Sequence, residues 1–268
     1  MSEAARSQAP GSMDSAPLLE TSGLTKSFRS LVALRDQAIV VRPGEIVGVI
    51  GPNGSGKSTF FNLVSGFLRP DSGSVRFDGQ PIERRSAAEI VRLGIARTFQ
   101  GTRLFKALSV AENVRAAAQL RHPSSMLDAL VGTPRLRRAA RRVDAITGEL
   151  LGLVGLTGRA GVRAGDLPYG DQRRLELVRA LATQPRLLML DEPAAGMDAA
   201  ETRELMDLVD RIRRRFGVAV IVVEHDMDLI MNLCERIQVL AHGQTIFEGA
   251  PAEVQAHPKV REVYLGHA

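Results

Sequence analysis

The sequence predicts an α/β fold built on a mainly parallel sheet with helices on both faces. Three observations predict it. Short apolar runs of strand length recur, as at 45–50, 187–190 and 218–223, and stretches with helical patterning separate them. Gly- and Pro-containing turns bound the runs, as at Arg42-Pro43-Gly44 and Pro70-Asp71-Ser72-Gly73. Two of the runs end on charged or polar side chains, Asp191-Glu192 and Glu224-His225, where the carboxyl ends of strands in such sheets carry ligand-binding groups.

The elements follow in order. Residues 1–17 are rich in Ser, Ala, Pro and Gly and are expected to form a flexible tail. Residues 18–50 alternate β-prone runs with turns, and 45–50 is a buried strand. A glycine-rich loop, 51–58, leads into a helix at 59–64. A turn at 70–73 precedes a strand at 74–77, and 95–99 is a further strand ending just before Gln100. From about Leu104 to Leu156 the β-branched runs vanish and Ala, Leu and Arg dominate, which predicts a helical insertion interrupted near His122-Pro123-Ser124-Ser125 and Gly132-Thr133-Pro134. After Gly170 a helix runs to about Leu181 and stops before Pro185. A strand (187–190), a helix (199–216), a strand (218–223), a helix (227–233) and two terminal strands complete the chain.

Composition sets bounds. The 268 residues are 44% hydrophobic, enough for a sizeable core. The only cysteine is Cys234, so no disulfide forms within the chain. No apolar stretch reaches the roughly 18 residues that a membrane-spanning helix needs. The net charge of +5 comes mostly from arginine, with clusters at 135, 137, 138, 141 and 142 and at 211 and 213–215. No aromatics interleave with them, so they read as solvated helix faces, and no nucleic-acid partner is expected.

The chemistry concentrates at three places. Gly51-Pro52-Asn53-Gly54-Ser55-Gly56-Lys57-Ser58 has the spacing Gly-x-x-x-x-Gly-Lys-Ser between a strand and a helix. This is a phosphate-binding loop: glycines let backbone N–H groups converge on phosphate oxygens, and the helix N-terminus adds partial positive charge. Gly51, Asn53, Gly54, Ser55, Gly56, Lys57, Ser58 and Thr59 are therefore candidate nucleotide contacts. Lys57 is expected to reach the β- and γ-phosphates and Ser58 to hold Mg²⁺. Asp191, ending a strand, fits a second Mg²⁺-holding position, and Glu192 is placed to orient and deprotonate an attacking water. His225, leaving another strand at the same edge, could hydrogen-bond a γ-phosphate oxygen. Gln100 could touch Mg²⁺ or the water and report it to the insertion.

Leu167-Pro168-Tyr169-Gly170-Asp171-Gln172-Arg173-Arg174-Leu175-Glu176 opens the helix that feeds the Asp191 strand. It resembles the signature motif of the ABC (ATP-binding cassette) ATPases, usually written Leu-Ser-Gly-Gly-Gln. The resemblance extends from about Leu18 to Gly266 and keeps the family's order: Phe28, the phosphate loop, Gln100, a helical insertion, the signature, Asp191-Glu192, Ala195-Gly196-Met197-Asp198 and His225. Arg97-Thr98-Phe99-Gln100, the signature segment, Asp191-Glu192-Pro193-Ala194-Ala195-Gly196, Glu224-His225-Asp226-Met227 and Val263-Tyr264-Leu265-Gly266 look like the ATP-binding subunits of branched-chain amino-acid importers, the longer of the two that such systems carry. The lipopolysaccharide-export ATPases share part of this pattern. Pro168 departs from it, since proline brings neither the hydroxyl of the usual Ser nor an N–H.

The resemblance implies a P-loop NTPase of ABC type. Its α/β core would carry an N-terminal antiparallel β subdomain and an inserted helical subdomain at about 101–166, all within one domain spanning 18–268. Phe28 would stack on adenine with Val32 beside it. Pro168, Tyr169, Gly170 and Asp171 would face the ATP of a second ATPase subunit, and Asp198 would lie in the loop that meets that subunit. ATP and Mg²⁺ are the implied ligands. Further implied partners are transmembrane permease subunits and an extracytoplasmic solute-binding protein, with the chain on the cytoplasmic face of the membrane. The alternative is an ABC ATPase of another system: lipopolysaccharide-type export, or a nucleic-acid- or ribosome-associated ATPase. Only about 110 residues separate phosphate loop and signature, too few for the long coiled coils of the chromosome-associated members.

Overall fold

The computed structural model describes residues 15–121 and 134–265. The expected tail before residue 15, the break near His122–Ser125 and Gly266 lie outside the described residues.

Two sheets form the frame. The first is antiparallel, with order β2-β1-β4-β5: β1 (Leu19–Phe28), β2 (Leu31–Val41), β4 (Ser72–Phe77) and the short β5 (Gln80–Pro81). The second has order β10-β9-β3-β8-β7-β6: β3 (Ile46–Ile50), β6 (Ile95–Arg97), β7 (Leu187–Asp191), β8 (Ala219–Val223), β9 (Arg236–Ala241) and β10 (Gln244–Gly249). All neighbours in this sheet are parallel except the β9–β10 hairpin. The fold is therefore α/β with a mainly parallel sheet and a separate antiparallel one.

Both faces of the large sheet are covered, as its uninterrupted apolar strands require. Side chains alternate. Leu188, Leu190, Val220 and Val222 pack into one core with Leu175, Val178, Val209 and Ile212, from α5 (Tyr169–Leu181) and α6 (Ala199–Phe216). Leu187, Met189, Ile221 and Val223 face the other core, with Phe60 and Phe61 of α1 (Lys57–Val64) and Leu24, Leu34 and Val75 of the antiparallel sheet. The remaining helices are α2 (Ala87–Leu93), α3 (Val110–Ala118), α4 (Pro134–Leu153), α7 (Met227–Leu233), α8 (Pro251–Ala256) and α9 (Pro258–Leu265).

Several expectations need correction. The strand before Gln100 ends at Arg97, although the Thr98 N–H still donates to Met189 O at 2.9 Å. Helix α2 follows from a capping box: Ser86 accepts from the Glu89 N–H while the Glu89 carboxylate accepts from the Ser86 N–H. The chain does not finish on two strands, because α8 and α9 follow, each opened by a proline at its first position. Both are short and weakly patterned, so apolar periodicity did not reveal them. The arginine run at the end of α6 is largely paired within the chain: Arg213 with Asp210 and Glu235, Arg214 with Asp210, Arg215 with Glu149. No helix among the described residues is long and apolar enough to cross a membrane.

A buried polar seam joins the sheets. Gln37 on β2 donates to Gln238 Oε1 on β9, Gln238 Nε2 donates to Glu248 Oε2 at 2.8 Å, and the Thr245 hydroxyl donates to Gln37 Oε1 at 2.8 Å. Both glutamines are fully buried. Gln238→Leu would strand the Gln37 amide without its acceptor. The expected loss is about 1–3 kcal/mol of stability, read as a lower urea midpoint at unchanged slope; an unchanged midpoint would show that the seam contributes nothing.

Candidate functional site

The parallel register sets the site. Ile46 to Val49 pair with Val220 to Val223, and Leu187 to Asp191 pair with Ala219 to Val223. The carboxyl ends of β3, β8, β7 and β6 therefore lie side by side, and the residues that follow each strand meet along one edge.

The phosphate loop follows β3. Its fold depends on close backbone approaches. A Cβ on Gly51 would sit 2.1 Å from Leu240 O, and one on Gly56 (φ 107°) 2.7 Å from Ala33 O. The loop is seated on β2 and the β9–β10 turn: the Arg35 N–H donates to Gly243 O and the Gly243 N–H to Ser55 O. Helix α1 begins at Lys57 with no side-chain cap and no acidic residue in its first turn, so its free N–H groups and positive end are left for an anion. The Ser55 hydroxyl is buried and has no hydrogen-bond partner among the described residues, as expected of a group shaped for a ligand. Asn53, Gly54 and Ser58 are exposed and Thr59 is half-buried. Lys57 Nζ folds onto the loop, donating to Gly51 O at 2.6 Å and Pro52 O at 3.0 Å. Burial lowers its pKa, and the charges of Glu192 and Asp191 act in the opposite sense.

Around Glu192 three predicted residues converge. Gln100 Nε2 donates to Glu192 Oε2 at 2.8 Å, and His225 Nε2 lies 2.6 Å from Glu192 Oε1. Glu192 has φ 48°, unusual for a residue with a side chain, and its N–H donates to Val223 O at 2.9 Å. Beneath it, Glu224 accepts from the Ala194 N–H at 2.7 Å and the His225 N–H at 3.2 Å. Burial raises the Glu224 pKa; those two N–H groups pull it down, and the neighbouring Glu192 charge adds to the rise. Asp191 Oδ2 accepts from Arg97 Nη2 at 2.8 Å, and the Asp191 N–H donates to the Thr98 hydroxyl at 3.3 Å.

Residues 168–171 of the signature lie apart from the phosphate loop: no hydrogen bond or ion pair joins them to 51–59 among the described residues. Pro168 holds the N-cap position of α5 without a side-chain bond. The Tyr169 hydroxyl donates to Ala195 O at 2.7 Å, and Gly170 is buried against Glu201 and Met197. Asp171 is ion-paired with Arg159 and, at 3.7 Å, with Arg174. Asp198 caps α6, accepting from the N–H groups of Glu201 and Ala200 at 2.9 and 2.8 Å, and these bonds hold its carboxyl below the usual range. Phe28, at the β1–β2 turn, is 43% exposed, with Lys26 Nζ 5.8 Å from its ring centroid and Val32 across the same hairpin.

Some residues central to this geometry were not singled out by sequence. Arg173 and Glu176 of α5 form a buried pair at 3.3 Å that clasps the segment after β6. Arg173 donates to Phe99 O at 3.3 Å and Gln100 O at 3.0 Å, and Glu176 Oε1 accepts from the Arg103 N–H at 3.4 Å. Burial raises the Glu176 pKa, offset by the Arg103 N–H and the Arg173 charge. Arg97, Thr98 and Glu224 were likewise passed over as site groups. All three stand within segments quoted for their resemblance, but the partners Asp191 and Ala194 that give them a place in the site lie 30 to 94 residues away.

Comparison with known proteins agrees with this geometry. The ABC transporter family pattern matches residues 34–195, and a pattern described as branched-chain amino acid ATP-binding cassette transporter matches 244–268. The chain is 41% identical over 254 residues to the high-affinity branched-chain amino acid transport ATP-binding protein BraF of Pseudomonas aeruginosa, covering 95% of this chain and 100% of that one. The chain belongs to the ABC transporter ATP-binding proteins. It is 34% identical to the lipopolysaccharide export system ATP-binding protein LptB of Acidithiobacillus ferridurans, covering 93% of this chain and 97% of that one. Among solved structures it is similar to the ADP conformation of MJ1267, an ATP-binding cassette of an ABC transporter, with TM-score 0.81 and 31% identity over 94% of this chain and 100% of that one. The protein is accordingly an ATP-binding, ATP-hydrolysing subunit of an ABC transporter.

Arg173→Met would leave Glu176 buried without its cation and release the carbonyls of Phe99 and Gln100. The expected cost is about 3–5 kcal/mol of stability, read by urea unfolding; a loss below about 1 kcal/mol would mean that the clasp is not a structural tie.

Proposed function

We propose that this ATPase powers uptake of branched-chain or other hydrophobic amino acids, or a related small solute, through separate permease subunits. The match at 244–268 and the higher identity to BraF than to LptB favour this reading over lipopolysaccharide-type export. We assign one ATPase domain to residues 18–268, with a helical insertion at about 101–166. The chain would sit on the cytoplasmic face of the membrane, held by its permeases and served by an extracytoplasmic solute-binding protein.

The observation that carries the hydrolytic role is the convergence of Gln100 and His225 on the Glu192 carboxylate. Glu192 orients and deprotonates the attacking water. His225 holds the carboxylate from one side and is placed to contact the γ-phosphate; Gln100 holds it from the other and carries its state to the insertion. Lys57 and the loop N–H groups of Gly54, Ser55, Gly56, Ser58 and Thr59 bind the phosphates, with Gly51 and Asn53 shaping the turn. Phe28 and Val32 form the adenine platform. Ser58, Asp191 and Gln100 would hold Mg²⁺, which supplies charge neutralisation at the phosphates. Among the described residues no group of three or more acidic, His or Cys side chains is arranged as a metal cage, which suits a magnesium ion carried largely by substrate phosphates.

A second ATPase subunit completes the site. The separation of 168–171 from the phosphate loop supports this, as does the uncapped start of α5. Its N–H groups remain free for a partner's nucleotide, and the Asp171 charge is already offset by Arg159 and Arg174. Asp198 and its loop would meet the same partner.

Glu192→Gln is expected to lower ATP hydrolysis by about 10²–10⁴ in the assembled transporter while retaining ATP binding, measured as phosphate release against nucleotide binding. Wild-type turnover would overturn the assignment. Lys57→Ala is expected to lose ATP binding in equilibrium dialysis with the fold intact by circular dichroism; retained tight binding would remove the loop from the nucleotide site. Solute uptake into vesicles carrying the subunit with its permeases tests the transport reading, and its absence with every hydrophobic amino acid would reject the substrate class.

A further inference from the structure

Four acids are buried or half-buried around the site, and three have a donor on each oxygen. Glu192 is held by Gln100 and His225, Glu224 by the N–H groups of Ala194 and His225, and Glu176 by Arg173 and the Arg103 N–H. Asp191 differs. Oδ2 accepts from Arg97, and Oδ1 has no hydrogen-bond partner among the described residues, although its side chain is only 10% exposed. Oδ1 is not a buried orphan and so faces solvent, which leaves one oxygen of an otherwise withdrawn carboxylate open to a ligand.

The group that holds the other oxygen is itself held through both Nη atoms, while its buried Nε has no hydrogen-bond partner among the described residues. Arg97 ends β6 opposite Met189, two residues before Asp191 on the next strand. Its side chain is 7% exposed. Nη1 donates to Asn62 Oδ1 at 2.7 Å and to Ser65 Oγ at 3.1 Å, both on or just after the helix that leaves the phosphate loop. The guanidinium carbon lies 5.3 Å from the Phe61 ring centroid and 5.0 Å from that of Phe99. The arginine therefore does not grip Asp191 with both prongs, as a simple ion pair would. It spends one prong on the phosphate-loop helix and one on the carboxylate. That division needs a planar fork, which lysine lacks.

We propose that Arg97 is a positioning residue for the metal: it pins Asp191 Oδ2 against the phosphate-loop helix and so presents Oδ1 to the magnesium ion carried by ATP. This rests on the reading above that Asp191 holds Mg²⁺. Arg97 touches neither nucleotide nor metal in this role. It fixes the orientation of the carboxylate relative to the loop that holds the phosphates.

The test is the ratio of ATP affinity in saturating Mg²⁺ to that in EDTA, measured by calorimetry on the full chain. Asp191→Asn is expected to bring the ratio close to one; a wild-type ratio in that variant would reject Asp191 as the metal group, and the inference with it. Arg97→Lys, which keeps the charge and loses the fork, is expected to cut the ratio about tenfold, the usual scale for a group that orients a metal ligand, with affinity in EDTA within about twofold of wild type. If Asp191→Asn collapses the ratio and Arg97→Lys leaves it unchanged, the inference alone fails. It also fails if both affinities fall together in Arg97→Lys, because that is the signature of a merely structural role. Asn62→Ala, which removes the anchor of the other prong and leaves the Arg97–Asp191 pair in place, decides the matter should Arg97→Lys not fold: about a threefold loss of the ratio supports positioning, and an unchanged ratio overturns it.

Discussion

The parallel register of β3, β8, β7 and β6 is the constraint on which the rest of the site depends. Lys57, Arg97 to Gln100, Asp191 to Glu192 and His225 are spread over most of the chain, and each ends one of these strands or lies in or just after the loop that leaves it. Side-chain direction alternates along a strand, so slipping one strand by a single residue would turn its apolar set to the wrong face. The separation of Leu187, Met189, Ile221 and Val223 from Leu188, Leu190, Val220 and Val222 into two cores forbids that slip. Burial of both faces thus does more than stabilise the sheet. It sets the height at which each strand releases its functional residue, and hence which side chains can touch.

Register alone does not bring Glu192 onto Gln100 and His225. The chain must also turn sharply where β7 ends, and it does so by placing Glu192 at φ 48°. For a residue with a Cβ this conformation costs about 1–2 kcal/mol. The surrounding bonds over-determine it: the Glu192 N–H donates to Val223 O, the Ala195 N–H donates to Glu192 O, and Glu224 holds the Ala194 N–H from below. Arg29, Asp36, Asp78, Gln184 and His242 also have positive φ, but at Glu192 the strain falls on a residue of the candidate site, where such strain tends to cluster.

This division explains what the sequence disclosed. Groups attached to a local pattern were legible: the glycine-rich loop between strand and helix, the acids closing an apolar run, the histidine closing another. Helix α6 was readable for the same reason, since Asp198 and Glu201 mark its start and Gly217 its end. Arg97 was not, because nothing near it in sequence declares a role; its meaning lies in Asn62, Ser65 and Asp191, up to 94 residues away. Arg173 and Glu176 were hidden in the same way, inside a segment read only as a motif. The terminal helices escaped because two short turns opened by proline carry too little apolar periodicity to be told from loop.

The two halves of the site are also electrically dependent on each other. Lys57 pays a burial penalty on its charged form, and the Glu192 and Asp191 charges act against it. Asp191 in turn is neutralised on one side by Arg97, which leaves its field only partly available to Lys57. The Glu192 and Asp191 charges therefore favour the cationic form of Lys57 against the larger effect of its burial.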